Sequence, residues 1–228
     1  MLIALGRLAD NPRAAITLLV ALCIAFIIGI AFHEFSHAFV AYLLGDTTAQ
    51  SQGRLTLNPI KHLDPFGTLL LFLVGFGWGK PTPVNPYRLR NGPVTGMALV
   101  SAAGPISNFL MASVIALPLK FGLVKFNDFI PLRNWSFGNY LALLLFYVVV
   151  INVVLGIFNL IPIAPLDGAK IAGGILPGEL GDLFRRLEPY GPGILMVMFA
   201  LSWLSPRYSI FAAVINPLEN RILRVLVG

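Results

Sequence analysis

The chain has 228 residues, a mean hydropathy of +0.82 and 57% hydrophobic residues. Only 11% are charged, against about 25% in ordinary soluble domains. So few charges cannot cover a water-soluble fold of this size, which excludes a secreted disulfide scaffold, a disordered tail and a nucleic-acid-binding domain.

The net charge of +6 belongs to sixteen basic residues scattered among long apolar runs. That is the pattern of loop charges on a membrane protein. The one cysteine, Cys23, cannot form an internal disulfide. The windows free of charge are 14–32, 65–79, 91–119, 134–166 and 189–206, with a last apolar piece at 208–218. A helix needs about 20 residues to cross a hydrocarbon core of roughly 30 Å.

Arg7 and Arg13 precede the first window like the start of a signal peptide, but no small-residue cleavage region follows. The apolar pattern continues through His33 to Leu44, so a retained helix is expected over roughly 14–44. Gly53-Arg-Leu-Thr-Leu-Asn-Pro59 alternates like a short strand. The second window is too short to span and carries Gly67, Gly75, Gly77 and Gly79 before Pro81-Thr-Pro83-Val-Asn-Pro86. It reads as a re-entrant or interfacial β-hairpin, which at membrane depth must be sheltered by protein or a water-filled cavity. The third and fourth windows span; the fifth is borderline and holds Pro192. The expected fold is an all-α polytopic membrane protein with about four to six transmembrane helices and that small hairpin. One membrane-embedded domain over 1–228 is expected, with its core at about 14–175 and C-terminal apolar helices at about 189–226.

Basic residues set orientation. Arg54, Lys61, Lys80, Arg88 and Arg90 follow the first helix, and Lys170, Arg185 and Arg186 return to the same side. Lys120, Lys125 and Arg133 face them from the other side, joined by Arg7 and Arg13. The bias puts the loop after Leu44 in the cytoplasm.

An ionisable residue inside a transmembrane run costs several kcal/mol unless paired or ligated, and so marks function. Two of the three histidines lie in His33-Glu34-Phe35-Ser36-His37, after 19 uncharged residues. On a helix His33 and His37 share a face, and both can reach one zinc ion. Glu34 then lies beside the metal as general base for a water. The alternative is a pair of interfacial histidines near a helix end, but that leaves the glutamate within the apolar run unexplained. A catalytic zinc takes three protein ligands. Asp167, in Pro162-Ile-Ala-Pro165-Leu-Asp167-Gly168, is one candidate for the third, and on spacing it is equally a turn or N-cap aspartate. His62 competes, although its charged loop suggests a solvated side chain. Asn108 and Asn159 are amides inside apolar spans. Each is either a hydrogen-bonding link between helices or a donor to a developing oxyanion. Gly104 lets neighbouring helices approach closely.

His33-Glu-Phe-Ser-His37, Gly104-Pro-Ile-Ser-Asn108 and Asn159-Leu-Ile-Pro-Ile-Ala-Pro-Leu-Asp167-Gly together resemble the site-2 protease family of intramembrane zinc metalloproteases. Gly53-Arg-Leu-Thr-Leu-Asn-Pro and Gly77-Trp-Gly-Lys-Pro-Thr-Pro-Val-Asn-Pro are similar to its short bacterial and archaeal members, and the likeness covers roughly 25–175. The resemblance implies one Zn2+ per chain on His33, His37 and Asp167, with Glu34 catalytic and Asn159 binding substrate or oxyanion. Gly104 and Asn108 match the family's close-packing motif near the site. It implies a zinc site nearer the cytoplasmic side of the cell membrane. The implied activity is endopeptidase cleavage within or near the transmembrane segments of single-span substrates, such as an anti-sigma-factor-like protein or a signal-peptide remnant. Many relatives carry a further first helix, or a PDZ or CBS domain. No stretch of about 90 soluble residues exists here, so neither domain is expected. Two other functions compete: a metal-ion transporter or metal sensor, since intramembrane His and Glu also mark ion pathways, and a non-catalytic relative that only holds membrane partners.

Overall fold

The computed structural model describes residues 12–74, 77–124, 135–204 and 209–228. Helices dominate, as the composition predicts. Helix α1 runs Pro12–Leu43, with no acidic residue in its first turn and no basic residue in its last. It stops where Gly45 takes φ 103°, a left-handed conformation that glycine adopts without a Cβ penalty. A short α2 (Thr48–Ser51) and α3 (Pro65–Val74) follow. Helix α4 (Pro93–Lys120) begins with Pro93 at its first position, where the missing N–H costs nothing. In α5 (Phe137–Asn159), Asn139 Oδ1 accepts from the Ser136 N–H at 3.0 Å, capping the start. The last four helices are α6 (Asp167–Ile175), α7 (Gly178–Leu187), α8 (Gly191–Leu204) and α9 (Ile210–Leu226).

Among the described residues three helices are long and apolar enough to cross a membrane: Ile16–Leu43, Pro93–Lys120 and Phe137–Asn159. They pack on one another, α6 packs on α4, and α9 packs on α5. Their contact faces are built from small residues: Ala25, Ala38 and Ala41 on α1, and Ala98, Ala112 and Ala116 on α4. Large apolar side chains such as Ile16, Val20, Leu110 and Val114 point outward. Burying apolar groups gains nothing where the solvent is itself hydrocarbon, so close backbone approach over small residues governs the interfaces. Further along α4 and α5, Ala112, Ala116, Val149, Val153 and Ile157 form a core onto which Ile215, Ile222 and Leu226 of α9 pack.

Three expectations change. Residues 53–59 do not form a strand but turns leading into a 3-10 turn at Pro59–Lys61. There the Arg54 and His62 side chains bond to main-chain carbonyls, taking acceptors that a sheet ladder would use. The second window contains the ten-residue α3, and the hairpin reduces to one antiparallel bridge, Leu63–Gly79. The fifth window yields α8, at 14 residues too short to span alone. Gly75, Pro206, Tyr208, Arg7, Lys125 and Arg133 lie outside the described residues.

The segment 77–92 returns along α1. Asn85 N–H donates to Asp46 Oδ2 at 2.7 Å, and Arg90 N–H to Leu44 O at 2.9 Å. Asp46 is fully buried and also accepts from the Thr48 N–H and hydroxyl. Burial alone would raise its pKa, but the Thr48 hydroxyl and the backbone N–H groups of Asn85 and Thr48 outweigh it and hold the carboxyl below its ordinary range.

Candidate metal centre

His33 and His37 lie one helical turn apart on the buried face of α1, 6% and 7% exposed. Each ring is fixed by its Nδ1. His37 Nδ1 is 2.7 Å from Val100 O, an acceptor only, so it carries the ring hydrogen. His33 Nδ1 is 2.7 Å from Asn108 Oδ1. The amide orientation follows from its other bonds: Asn108 Nδ2 donates to Gly29 O at 3.2 Å and to Asn152 Oδ1 at 2.7 Å. Asn152 Nδ2 in turn donates to Val148 O at 2.8 Å. Both asparagines are fully buried. Hydrogen bonds thus run from His33 on α1 through Asn108 on α4 to Asn152 on α5.

With both hydrogens on Nδ1, the rings in their neutral form present Nε2 lone pairs. The two Nε2 atoms are 3.0 Å apart. Asp167 Oδ2 completes the group, 3.1 Å from His33 Nε2 and 3.2 Å from His37 Nε2. Three such atoms facing one another need a metal ion or a shared proton among them, and their spacing suits the metal. For a tetrahedral metal with ligand bonds of 2.0–2.1 Å the donors would be about 3.3 Å apart, close to what is seen. His33, His37 and Asp167 are the set of residues able to hold a metal ion among those described.

The chain makes room for this group at Gly104. A Cβ there would stand 2.5 Å from His37 Nε2 and 2.5 Å from His33 Cε1. The glycine therefore lies against the imidazoles themselves, besides allowing α1 and α4 to approach.

Asp167 is delivered by the break after α5. Helix α5 ends at Asn159, turns cover 160–166, and Asp167 opens α6. Gly168 is required at this turn, since a Cβ would lie 2.4 Å from the carbonyl oxygens of Leu160 and Ile161.

Glu34 is half-buried beside the group. Its Oε2 accepts from the Thr82 backbone N–H at 2.8 Å and lies 2.7 Å from the Thr82 hydroxyl, whose single hydrogen also has the Glu34 main-chain carbonyl within reach at 3.0 Å. Asn159 Nδ2 donates to Leu155 O one turn back at 3.0 Å, and among the described residues it bonds to none of the other candidates. His62 stands apart from the metal group and is fully buried, which corrects the expectation of a solvated side chain. Its Nε2 lies 2.6 Å from Thr56 O, so it braces its own loop.

Sequence reasoning missed Thr82, Asn152 and the buried Arg54. Asn152 could have been found as the one amide inside the apolar run of α5 away from its ends. Thr82 and Arg54 lie in the two stretches likened to short members of the family, but nothing in either stretch said what these side chains touch.

The family model described as peptidase family M50 matches residues 21–202. A protein of Bacillus subtilis (strain 168), carrying the provisional name zinc metalloprotease YwhC, is 40% identical over 182 residues, covering 78% of this chain and 79% of its own. Proteins provisionally named zinc metalloprotease Rip2 are each 29% identical. That of Mycolicibacterium smegmatis (strain ATCC 700084 / mc(2)155) covers 84% of this chain and 70% of its own. That of Mycobacterium tuberculosis (strain ATCC 25618 / H37Rv) covers 83% and 70%. No solved structure matches.

Proposed function

The chain belongs to peptidase family M50, the site-2 protease family, and we propose that it cleaves peptide bonds within or near the transmembrane segments of other membrane proteins. It is a membrane zinc metalloprotease. The observation that carries the finer reading is the convergence of His33 Nε2, His37 Nε2 and Asp167 Oδ2, with Glu34 next to His33 inside a 28-residue apolar helix.

His33, His37 and Asp167 would hold the Zn2+. When bound, the ion supplies Lewis-acid chemistry to a water and a peptide carbonyl. Glu34 takes the proton from the attacking water and delivers it to the leaving amine nitrogen. Asn159 has a second Nδ2 hydrogen beyond the one given to Leu155, and donates it to the carbonyl oxygen as negative charge develops. The Asn108–Asn152 pair keeps the hydrogen of His33 on Nδ1 and so its lone pair on Nε2.

His33 lies ten residues before the end of α1, roughly 15 Å along the helix axis. The ends of α1 and α5 and the start of α4 share that side, together with most basic loop residues. This supports a site nearer the cytoplasmic face. A substrate helix hides its carbonyls in hydrogen bonds, so it must unwind locally. The substrate class that fits is a single-span protein, of the anti-sigma-factor or signal-peptide-remnant type.

The test is Glu34→Gln in purified protein reconstituted with a single-span substrate in liposomes. It retains stoichiometric zinc and loses cleavage by at least about a hundredfold, the range of a general base. Cleavage at the wild-type rate would refute the mechanism.

A further inference from the structure

The motif Gly77-Trp-Gly-Lys-Pro-Thr-Pro-Val-Asn-Pro86 has no part in the chemistry so far. In the structure it lies along one stripe of α1. Gly79 passes so close to the helix that a Cβ would stand 2.9 Å from Ile30 Cγ2. One turn on, Thr82 meets Glu34. Val84 then packs on the cluster of Ala41, Leu89 and Val100.

This path is fixed at both ends. Lys80 N–H donates to His62 O at 2.7 Å, and Asn85 N–H to Asp46 Oδ2 at 2.7 Å. In between, Arg54, only 5% exposed, donates through Nη2 to the carbonyl oxygens of Lys80 and Pro81. Pro81 and Pro83 have no N–H and a fixed φ. The N–H of Thr82 is therefore the single main-chain donor in 81–83, and it goes to Glu34.

A glutamate has several rotatable bonds, and immobilising it costs rotamer freedom. Two donors on one oxygen, both held by a proline-stiffened segment, set the carboxylate plane before any substrate arrives. Among the described residues Oε1 accepts no hydrogen bond, which leaves that oxygen for a water. Preset geometry of this kind is what proton transfer requires.

We propose that Thr82 is the positioning residue of Glu34, orienting its carboxylate through backbone N–H and hydroxyl together, and that Arg54 holds Thr82 in place from behind. This rests on Glu34 acting as the base. Thr82 acts through Glu34 and transfers no proton itself.

The experiment compares zinc-loaded wild type, Thr82→Val, Thr82→Ser and Glu34→Gln on one single-span substrate. Valine keeps the shape and the N–H but removes the hydroxyl. Thr82→Val is expected to lower kcat about tenfold, with KM within about twofold and zinc content unchanged, and Thr82→Ser to recover most of the rate. Thermal unfolding gives a readout independent of activity. Thr82→Val should lower the midpoint by about 2–4 °C in the wild-type background and by less in a Glu34→Ala background, where the hydroxyl keeps only the main-chain carbonyl of residue 34 as its partner.

A wild-type kcat in Thr82→Val beside an inactive Glu34→Gln would overturn the inference and leave the proposed function standing. So would a raised KM at unchanged kcat, a loss of zinc, or a serine variant no better than valine. An active Glu34→Gln would overturn both.

Discussion

At the residue scale, the metal group depends on what surrounds it as much as on its three members. Gly104 is the sharpest case, since no other residue leaves both imidazoles in place. Gly104→Ala should push the rings apart, and metal analysis of the purified variant should show most of the zinc lost. Asn108→Ala acts differently. It strips the acceptor from His33 Nδ1 and leaves Asn152 Oδ1 without its donor. Removing the outer partner of a metal-binding histidine typically weakens metal binding by about 10–100-fold. Competition with a calibrated chelator reads that change directly. An unaltered affinity would mean that the tautomer is set some other way.

At the element scale, the segment 45–92 is placed by polar contacts rather than by a sheet. Asp46 joins the end of α1, the start of α2 and the segment before α4. Its carboxyl titrates lower in the folded protein than in the unfolded chain. A lowered folded value means that the stability is complete above the ordinary carboxylate range, near pH 4, and is lost as pH falls through the lowered value. The gap in thermal midpoint between wild type and Asp46→Ala should therefore stay constant from pH 7 to about pH 5 and close only at more acid pH. A gap that closes near neutrality would assign the effect to another group.

At the scale of the whole molecule, the three spans found among the described residues, the small-residue faces of α1 and α4 and one polar group form a single arrangement. Each span supplies part of it: His33 and His37 from α1, Gly104 and Asn108 from α4, Asn152 from α5, with Asp167 just beyond α5. Removing the metal should therefore loosen the packing of the bundle as well as stop catalysis. Chelation is expected to abolish cleavage and lower the unfolding midpoint, and added zinc to restore both, since a ligand that binds only the folded state stabilises it. The substrate requirement follows from the same geometry. Helix-breaking Gly or Pro near the scissile bond should raise the cleavage rate of a model substrate, while a continuous leucine-rich helix should resist, as scored by product formation in liposomes.

The residues themselves carried much of this. In a chain with 11% charged residues, a His-Glu-Phe-Ser-His run after 19 uncharged positions stands out because burying such groups in hydrocarbon is costly. Helical period then placed His33 and His37 on one face. The spans were legible for the same reason, as stretches without charge. Other features were beyond reach. Spacing left Asp167 open between turn and ligand, because only the fold of 160–166 brings it back to α1. His62 looked solvated because its neighbours are charged, yet burial is decided by what packs over a loop. The short strand expected from alternation at 53–59 gave way to turns and side-chain bonds, since alternation does not show whether a partner strand exists, and the hairpin expected from the short, glycine-rich second window reduced to α3 and one bridge. Sequence by itself determined the medium, the spans and the histidine pair, because period and hydropathy are local. Only the tertiary structure decided which distant groups meet: Asn108 behind His33, Gly104 beneath the rings, and Thr82 upon Glu34. Those contacts join residues 48 to 75 positions apart, and nothing local encodes them.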